Sequence, residues 1–232
     1  MRLSNETIKI LKNYAAINNS LLFSKGNVLK TVSGEKTILA SATIQEEIPF
    51  DFAIYDLSSM LAMLSCLNDP EIICHSKKVE IKSSQGQQGS FDMYYSDAAL
   101  IATPPNKEIS TIPVYSFDLS ADEMQTMMKA IAVTGSPELT IKCEDNKVVL
   151  KAGSRDNETH SSYTKELGSY DGSDFDVYID IVNFKVIHDD YEIVIASTMN
   201  KRSAILNFKS KNKAVEYWLA CGLNSVLKVK DA

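Results

Sequence analysis

Four aspartates stand where paired carboxylates could do chemistry. Asp51 and Asp56 flank Phe52-Ala53-Ile54-Tyr55, and Asp176 and Asp180 flank Val177-Tyr178-Ile179. Two carboxylates held together can transfer protons or hold a metal ion. Here they sit at the ends of strand-like runs, where an Asp more often accepts hydrogen bonds from the first N–H groups of a following helix. Capping is therefore the better reading. His75, His160 and His188 form no H-x-x-x-H pair, and Cys66, Cys74, Cys143 and Cys221 lack metal-type spacing. Buried, reduced thiols are expected. No Walker-type glycine loop, H-E-x-x-H or G-x-S-x-G is present, so no catalytic residue, metal or cofactor is expected and the chain does not read as an enzyme. An uncharacterised hydrolase using the aspartates ranks low, because no nucleophile or base supports it.

The elements that position these aspartates occur twice. The run Phe50-Asp51-Phe52-Ala53-Ile54-Tyr55-Asp56 is echoed by Phe175-Asp176-Val177-Tyr178-Ile179-Asp180. Downstream, Asp69-Pro70-Glu71-Ile72 and Ser76 are echoed by Asp190-Tyr191-Glu192-Ile193 and Ser197. A duplicated unit of this size points to two similar domains in the 232 residues. Apolar residues make up 44 %, enough for a core in each half. Asp and Glu outnumber Lys and Arg by 30 to 24, a net charge of −6. That balance excludes a binder that coats its whole surface with nucleic acid, but allows one basic face on an acidic exterior. No apolar run approaches a membrane span, and Met1-Arg2-Leu3-Ser4-Asn5-Glu6 has no signal-peptide core. A cytoplasmic protein is expected.

Helices are predicted from four starts. Ser4 caps the first, with Ile8, Leu11 and Ala15 on its apolar face. Asp56 opens the second, with Leu57, Met60, Leu61, Leu64 and Leu67 inward, stopped by Asn68-Asp69-Pro70. Ser120-Ala121-Asp122-Glu123 is a capping box ahead of Met124, Met127, Met128 and Ile131, and Gly135-Ser136-Pro137 ends that helix. The methionines read as core. A fourth, short helix is predicted from Asp180 with Ile181, Phe184 and Ile187 inward. Strands fill the intervals, and Ser83-Ser84-Gln85-Gly86-Gln87-Gln88-Gly89 and the stretch from Gly153 to Thr159 read as turns. Pro104 and Pro105 place an interdomain connector across Ala102 to Pro113. The expected domains are 1–101 and 114–232, joined by 102–113. The expected fold is α+β, each domain laying two helices on one face of an antiparallel sheet and leaving sheet edges that seek partners.

Residues 1 to 69 carry a closer signature: Leu3-Ser4, Leu11-Lys12-Asn13, Ile17-Asn18, Phe50-Asp51, Ala53-Ile54-Tyr55-Asp56-Leu57, Leu64-Ser65 and Asn68-Asp69. In this the chain resembles the sliding clamps of T4-like bacteriophages, the DNA polymerase accessory proteins. Tyr170-Asp171-Gly172, and Asn183 with Lys185, extend the likeness into the second half, while 70 to 165 match only in patches. The resemblance implies a duplicated clamp-type domain in a DNA-clamp ring, a homotrimer with helices lining the hole and sheets outside. It implies a processivity factor that encircles double-stranded DNA without reading its sequence and tethers the replicative DNA polymerase. A clamp loader, late-transcription factors and host RNA polymerase are implied as further partners, in the cytoplasm of the infected bacterial host.

A clamp must slide, so it needs phosphate attraction without base contacts. The resemblance places Lys12, Lys129 and Lys185 on the DNA-facing helices, with Arg2 and Lys9 as further candidates. The second helix carries no basic residue, so affinity for bare DNA is expected to be weak. Partner tails of clamps are hydrophobic, and the resemblance puts their groove near the connector and the last strands. Val114, Tyr115, Trp218 and Leu219 are the candidates. The competing reading is an adaptor or structural ring protein of the same fold that does not encircle DNA.

Overall fold

The structure is a computed structural model that describes residues 1–84, 89–105, 109–157, 159–199 and 203–227. The chain divides into two compact units, Met1–Pro105 and Asn106–Ala232.

The first unit opens with helix α1 (Asn5–Ile17), whose N-cap Ser4 accepts the Thr7 N–H. Its buried side is Thr7, Ile10, Leu11, Tyr14 and Ile17. The expected stripe of Ile8, Leu11 and Ala15 is thus rotated: Leu11 is buried, but Ile8 and Ala15 are only half-buried. The reason is polar as well as apolar. Tyr14 is fully buried and its hydroxyl donates to the Leu29 carbonyl at 3.2 Å, so an aromatic ring can turn inward without stranding its polar tip. Thr7 is buried against Glu46, which accepts its hydroxyl at 2.6 Å.

Strand β1 (Leu21–Phe23) pairs antiparallel with β4 (Phe52–Ile54), and Phe23 stacks on Phe52 with ring centroids 4.8 Å apart. Strand β2 (Gly26–Val32) pairs with β3 (Ile38–Ile48). The register slips next to Gly26, whose φ of +109° only glycine adopts readily. Asp56 caps helix α2 (Leu57–Ser65), as its position predicted, accepting the Ser59 N–H. Leu57, Met60 and Leu64 are buried. A three-strand meander follows: β5 (Pro70–Cys74), β6 (Lys78–Ser83) and β7 (Ser90–Tyr94). Residues 85–88 of the predicted loop lie outside the described residues.

The second unit follows a similar order, with departures. Strand β8 (Thr111–Leu119) begins before the expected connector ends, and Pro113 lies within it. This is permissible because β8 is the edge of its sheet and a register shift falls beside Pro113, so no ladder donor is needed there. Residues 106–108 of the connector are outside the described residues. Helix α3 (Ala121–Thr134) carries the predicted capping box between Ser120 and Glu123 and ends at Gly135 with φ +64°. Met124 and Met127 are buried and Met128 half-buried. Strands β9 (Glu138–Glu144), β10 (Lys147–Gly153), β11 (Tyr163–Ser169) and β12 (Phe175–Asp180) lie in the order β11-β10-β9-β12. Glu158, in the predicted turn after Gly153, is outside the described residues. Strands β13 (Tyr191–Thr198), β14 (Ala204–Ser210) and β15 (Val215–Ala220) join β8 in the order β15-β14-β13-β8, and β16 (Val226–Leu227) pairs with β12.

The predicted fourth helix is a single 3-10 turn, Ile181–Asn183. Asp180 occupies the cap position but its side chain makes no capping hydrogen bond. β-Branched Ile181, Val182, Val186 and Ile187 crowd the backbone, which lowers helix propensity, and an uncapped nucleus cannot offset that. The duplicated aspartates therefore do different work. Asp56 caps a helix, Asp51 accepts the Lys25 N–H at 2.6 Å, and Asp176 pairs with Arg155. Of the thiols, Cys143 is buried, Cys74 and Cys221 are half-buried and Cys66 is exposed, contrary to the expectation for the last.

Candidate nucleic-acid interface

On α1 the residues facing solvent are Asn5, Lys9, Lys12 and Ala16. Their spacing follows one line down the helix, and Lys9 and Lys12 are neighbours across one turn. Neither makes an ion pair among the described residues. Both ammonium groups remain available to phosphate.

The face is set by what lies beneath it. Glu46, on β3, accepts the Ser4 N–H and the Thr7 hydroxyl at the start of α1. Burial pushes its carboxyl up, but the hydrogen bonds from Thr7 and Ser4 outweigh burial and hold it below the ordinary glutamate range. An anion at the positive end of the helix dipole fixes the helix's rotation as well as its end. Helix α2 is anchored by Asn19. Its side chain donates to Asp56 at 3.0 Å and accepts the Ser58 N–H at 2.9 Å, and its carbonyl accepts the Leu57 N–H at 2.8 Å. The exposed side of α2, Ser58, Ala62 and Ser65, is uncharged and short-chained. Both hydroxyls are spent internally, on Asn19 and on the Ala62 carbonyl.

The remaining candidate cations are placed less uniformly. Arg2 precedes α1 and pairs with Asp69 at 3.2 Å, which draws part of its charge away from phosphate. Lys129 is exposed on α3, where its ammonium donates to Gln125 at 3.3 Å. Lys185 follows the 3-10 turn, in backbone that is not helical, so it is not the helix-borne lysine that was expected.

The groove candidates divide by strand register. One row across the β8–β13–β14–β15 sheet is Tyr115, Ile195, Leu206 and Leu219, and the adjacent row is Ser116, Val194, Asn207 and Trp218. Adjacent rows point to opposite faces. Leu219 is fully buried, while Trp218 is partly exposed. Trp218 and Leu219 therefore cannot line one surface, which corrects the grouping made from sequence. Tyr115 donates to the Leu167 carbonyl at 3.0 Å and sits against Tyr170 and Phe175. Burial pushes its phenol up from the ordinary value. Val114 stands at the register shift in β8.

Sequence reasoning missed Glu46 and Asn19, the residues that orient α1 and α2. A Glu within a strand (Glu46, beside Glu47) and an Asn after a helix (Asn19, beside Asn18) carry no spacing signal. Only the return of a neighbouring chain segment gives them partners. Among the described residues no group of His, Cys, Asp and Glu could hold a metal, and no helix is long and apolar enough to cross a membrane.

Twice-repeated antiparallel sheets carrying short capped helices define a DNA-clamp fold of the α+β class. Solved proliferating cell nuclear antigens share it. That of Entamoeba histolytica superposes with a TM-score of 0.63 over 93 % of this chain and 94 % of its own, at 14 % identity. The A. fulgidus protein, in a structure with the C-terminal region of FEN-1 bound, gives 0.65 over 99 % and 98 %, at 12 % identity. Residues 4–101 match the DNA polymerase processivity factor family. The sliding clamp of Escherichia phage RB69 is 29 % identical over 97 % of this chain and 98 % of its own length. That of Enterobacteria phage T4 is 29 % identical over 84 % and 87 %. Over most of its length the chain is thus similar to the sliding clamps of phages, a non-enzymatic family of processivity factors.

Proposed function

We propose that three copies of this chain close into a ring around duplex DNA and tether the replicative polymerase during synthesis in the infected host's cytoplasm. The clamp domains are 1–101 and 114–232, with 102–113 between them. A clamp loader opens the ring, and the loaded clamp also supports late transcription through factors that engage host RNA polymerase. The observation that carries the DNA-binding part is the solvent line of α1. There Lys9 and Lys12, without an ion pair among the described residues, stand above a buried opposite face. Lys129, Lys185 and Arg2 add weaker attraction. Retention comes from encirclement, because so few phosphate contacts leave affinity for open DNA low. Trp218 anchors partner tails, with Val114 beside the connector, while Tyr115 lies on the opposite face of the sheet. Leu219 supports the sheet from within.

The test has two arms. Native mass spectrometry is expected to give three times 25.7 kDa, and a stable monomer at micromolar concentration overturns the ring. With loader and ATP, the protein is expected to stay on circular DNA and run off linear DNA. Equal loss from both overturns encirclement and leaves an adaptor.

A further inference from the structure

The side of the β9–β10–β12 sheet turned away from its buried face holds a depression of about 470 Å³. Its wall includes Lys142, Lys151 and Arg155, with Thr140, Val149 and Asp176. Within the wall three cations stand against one carboxylate, while Glu138 accepts the Arg155 N–H and Glu166 lies opposite Val149 at the margin. We propose that this depression docks a carboxylate-bearing segment of a partner protein.

Each cation is held in a way that suits it to the task. Arg155 donates to Asp176 at 2.6 Å, and its guanidinium carbon lies 4.4 Å from the Tyr178 ring centroid. Salt bridge and aromatic face together fix the plane of the fork, and the N–H groups not spent on Asp176 remain to meet a second carboxylate. Lys142 pairs with Glu144 at 2.8 Å, but those side chains are 43 % and 66 % exposed. Such an exposed pair contributes little, so the lysine changes partner at little cost. Lys151 makes no ion pair among the described residues. A Cβ added at Gly153 would stand 3.2 Å from Lys151 Cε, so the glycine leaves room for the lysine stem to lie back along the strand.

The same features disfavour nucleic acid. A phosphate backbone carries charge at every residue and would meet Asp176 in the wall and Glu144 nearby. A peptide brings carboxylates singly and can lay apolar side chains on Val149. The site lies within one unit, and its test requires neither DNA nor ring closure.

The probe is a short fluorescent peptide of alternating aspartate and leucine, titrated with the full chain and read by anisotropy. Its twin has asparagine for aspartate. Lys151→Glu is expected to weaken binding about tenfold or more, while Lys147→Glu, on the same strand outside the depression, leaves it unchanged. Both lysines are exposed, so both variants are expected to melt as the parent does. Binding of the asparagine twin with equal affinity overturns the proposal, as does equal weakening in the two lysine variants. A single-stranded oligonucleotide that binds more tightly than the peptide and depends on Lys151 also overturns it, in favour of nucleic acid.

Discussion

Lys165 of β11 donates its ammonium to Glu123 of α3 across 2.7 Å, tying an edge strand of the second unit to the first turn of its helix. Glu123 also accepts the Ser120 N–H at 2.9 Å. One carboxylate therefore closes the capping box and docks the helix on the sheet. The Lys165 hydrogen bond, then the Ser120 N–H, bring its pKa down from the ordinary glutamate value of 4.5 to about 2.

This shift gives the fold an acid limit. A carboxyl depressed on folding contributes stability that is complete above its unfolded value and is lost as pH falls toward its folded one. Glu123 is 40 % exposed and Lys165 26 %, so solvent screening holds the contribution to at most about 1 kcal/mol. Urea midpoints measured downward from pH 4.5 to about 2 are expected to fall in the parent and to fall less steeply in Glu123→Gln. Some slope remains, because Asp189 titrates in the same range. Burial raises its carboxyl, but Ser210, Asn212 and Lys213 bring it down to about 2. Identical pH profiles for parent and variant would remove Glu123 from the account.

Strand register separates two neighbouring residues by role. Leu219→Ala empties a fully buried site and is expected to cost roughly 2–5 kcal/mol in chemical denaturation. Trp218→Ala is expected to change stability less and to weaken binding of the proposed polymerase partner in a titration. The reverse pattern would place Leu219, and not Trp218, at the partner surface.

The lysines of α1 make a salt-dependent prediction. Lys9→Ala and Lys12→Ala each withdraw one cation from the phosphates, so each is expected to reduce the slope of log affinity against log salt by about one. Clamp-dependent synthesis should then fail at lower salt than in the parent, with native mass unchanged. A slope unaffected by the double variant would move the DNA-facing surface away from α1.

Much of the fold was legible because local signals agreed with one another. Ser4, Asp56 and Ser120 each precede a periodic apolar run, and each caps a helix. The duplicated Phe-Asp runs hold β4 and β12, and each run ends on an aspartate at a cap position. The second copy misled at Asp180, where the cap residue was present but the β-branched sequence behind it does not make a helix. Strand β11 was not foreseen. Its residues Tyr163, Lys165 and Leu167 alternate with polar ones, but inward-facing Lys165 is explained only by Glu123 on another element. At the site, lysines on a helix face were readable from spacing. Which candidates share a surface was not, because Trp218 and Leu219 are separated by pleat alone.

The bare strip of Ser58, Ala62 and Ser65 on α2 has a mechanical consequence for the proposed ring. A duplex moving past it would meet no cation to trade for water and no hydroxyl left to donate, so nothing there would have to be broken at each step. Travel over such a surface is opposed mainly by solvent drag, and its pace should follow viscosity more closely than base composition.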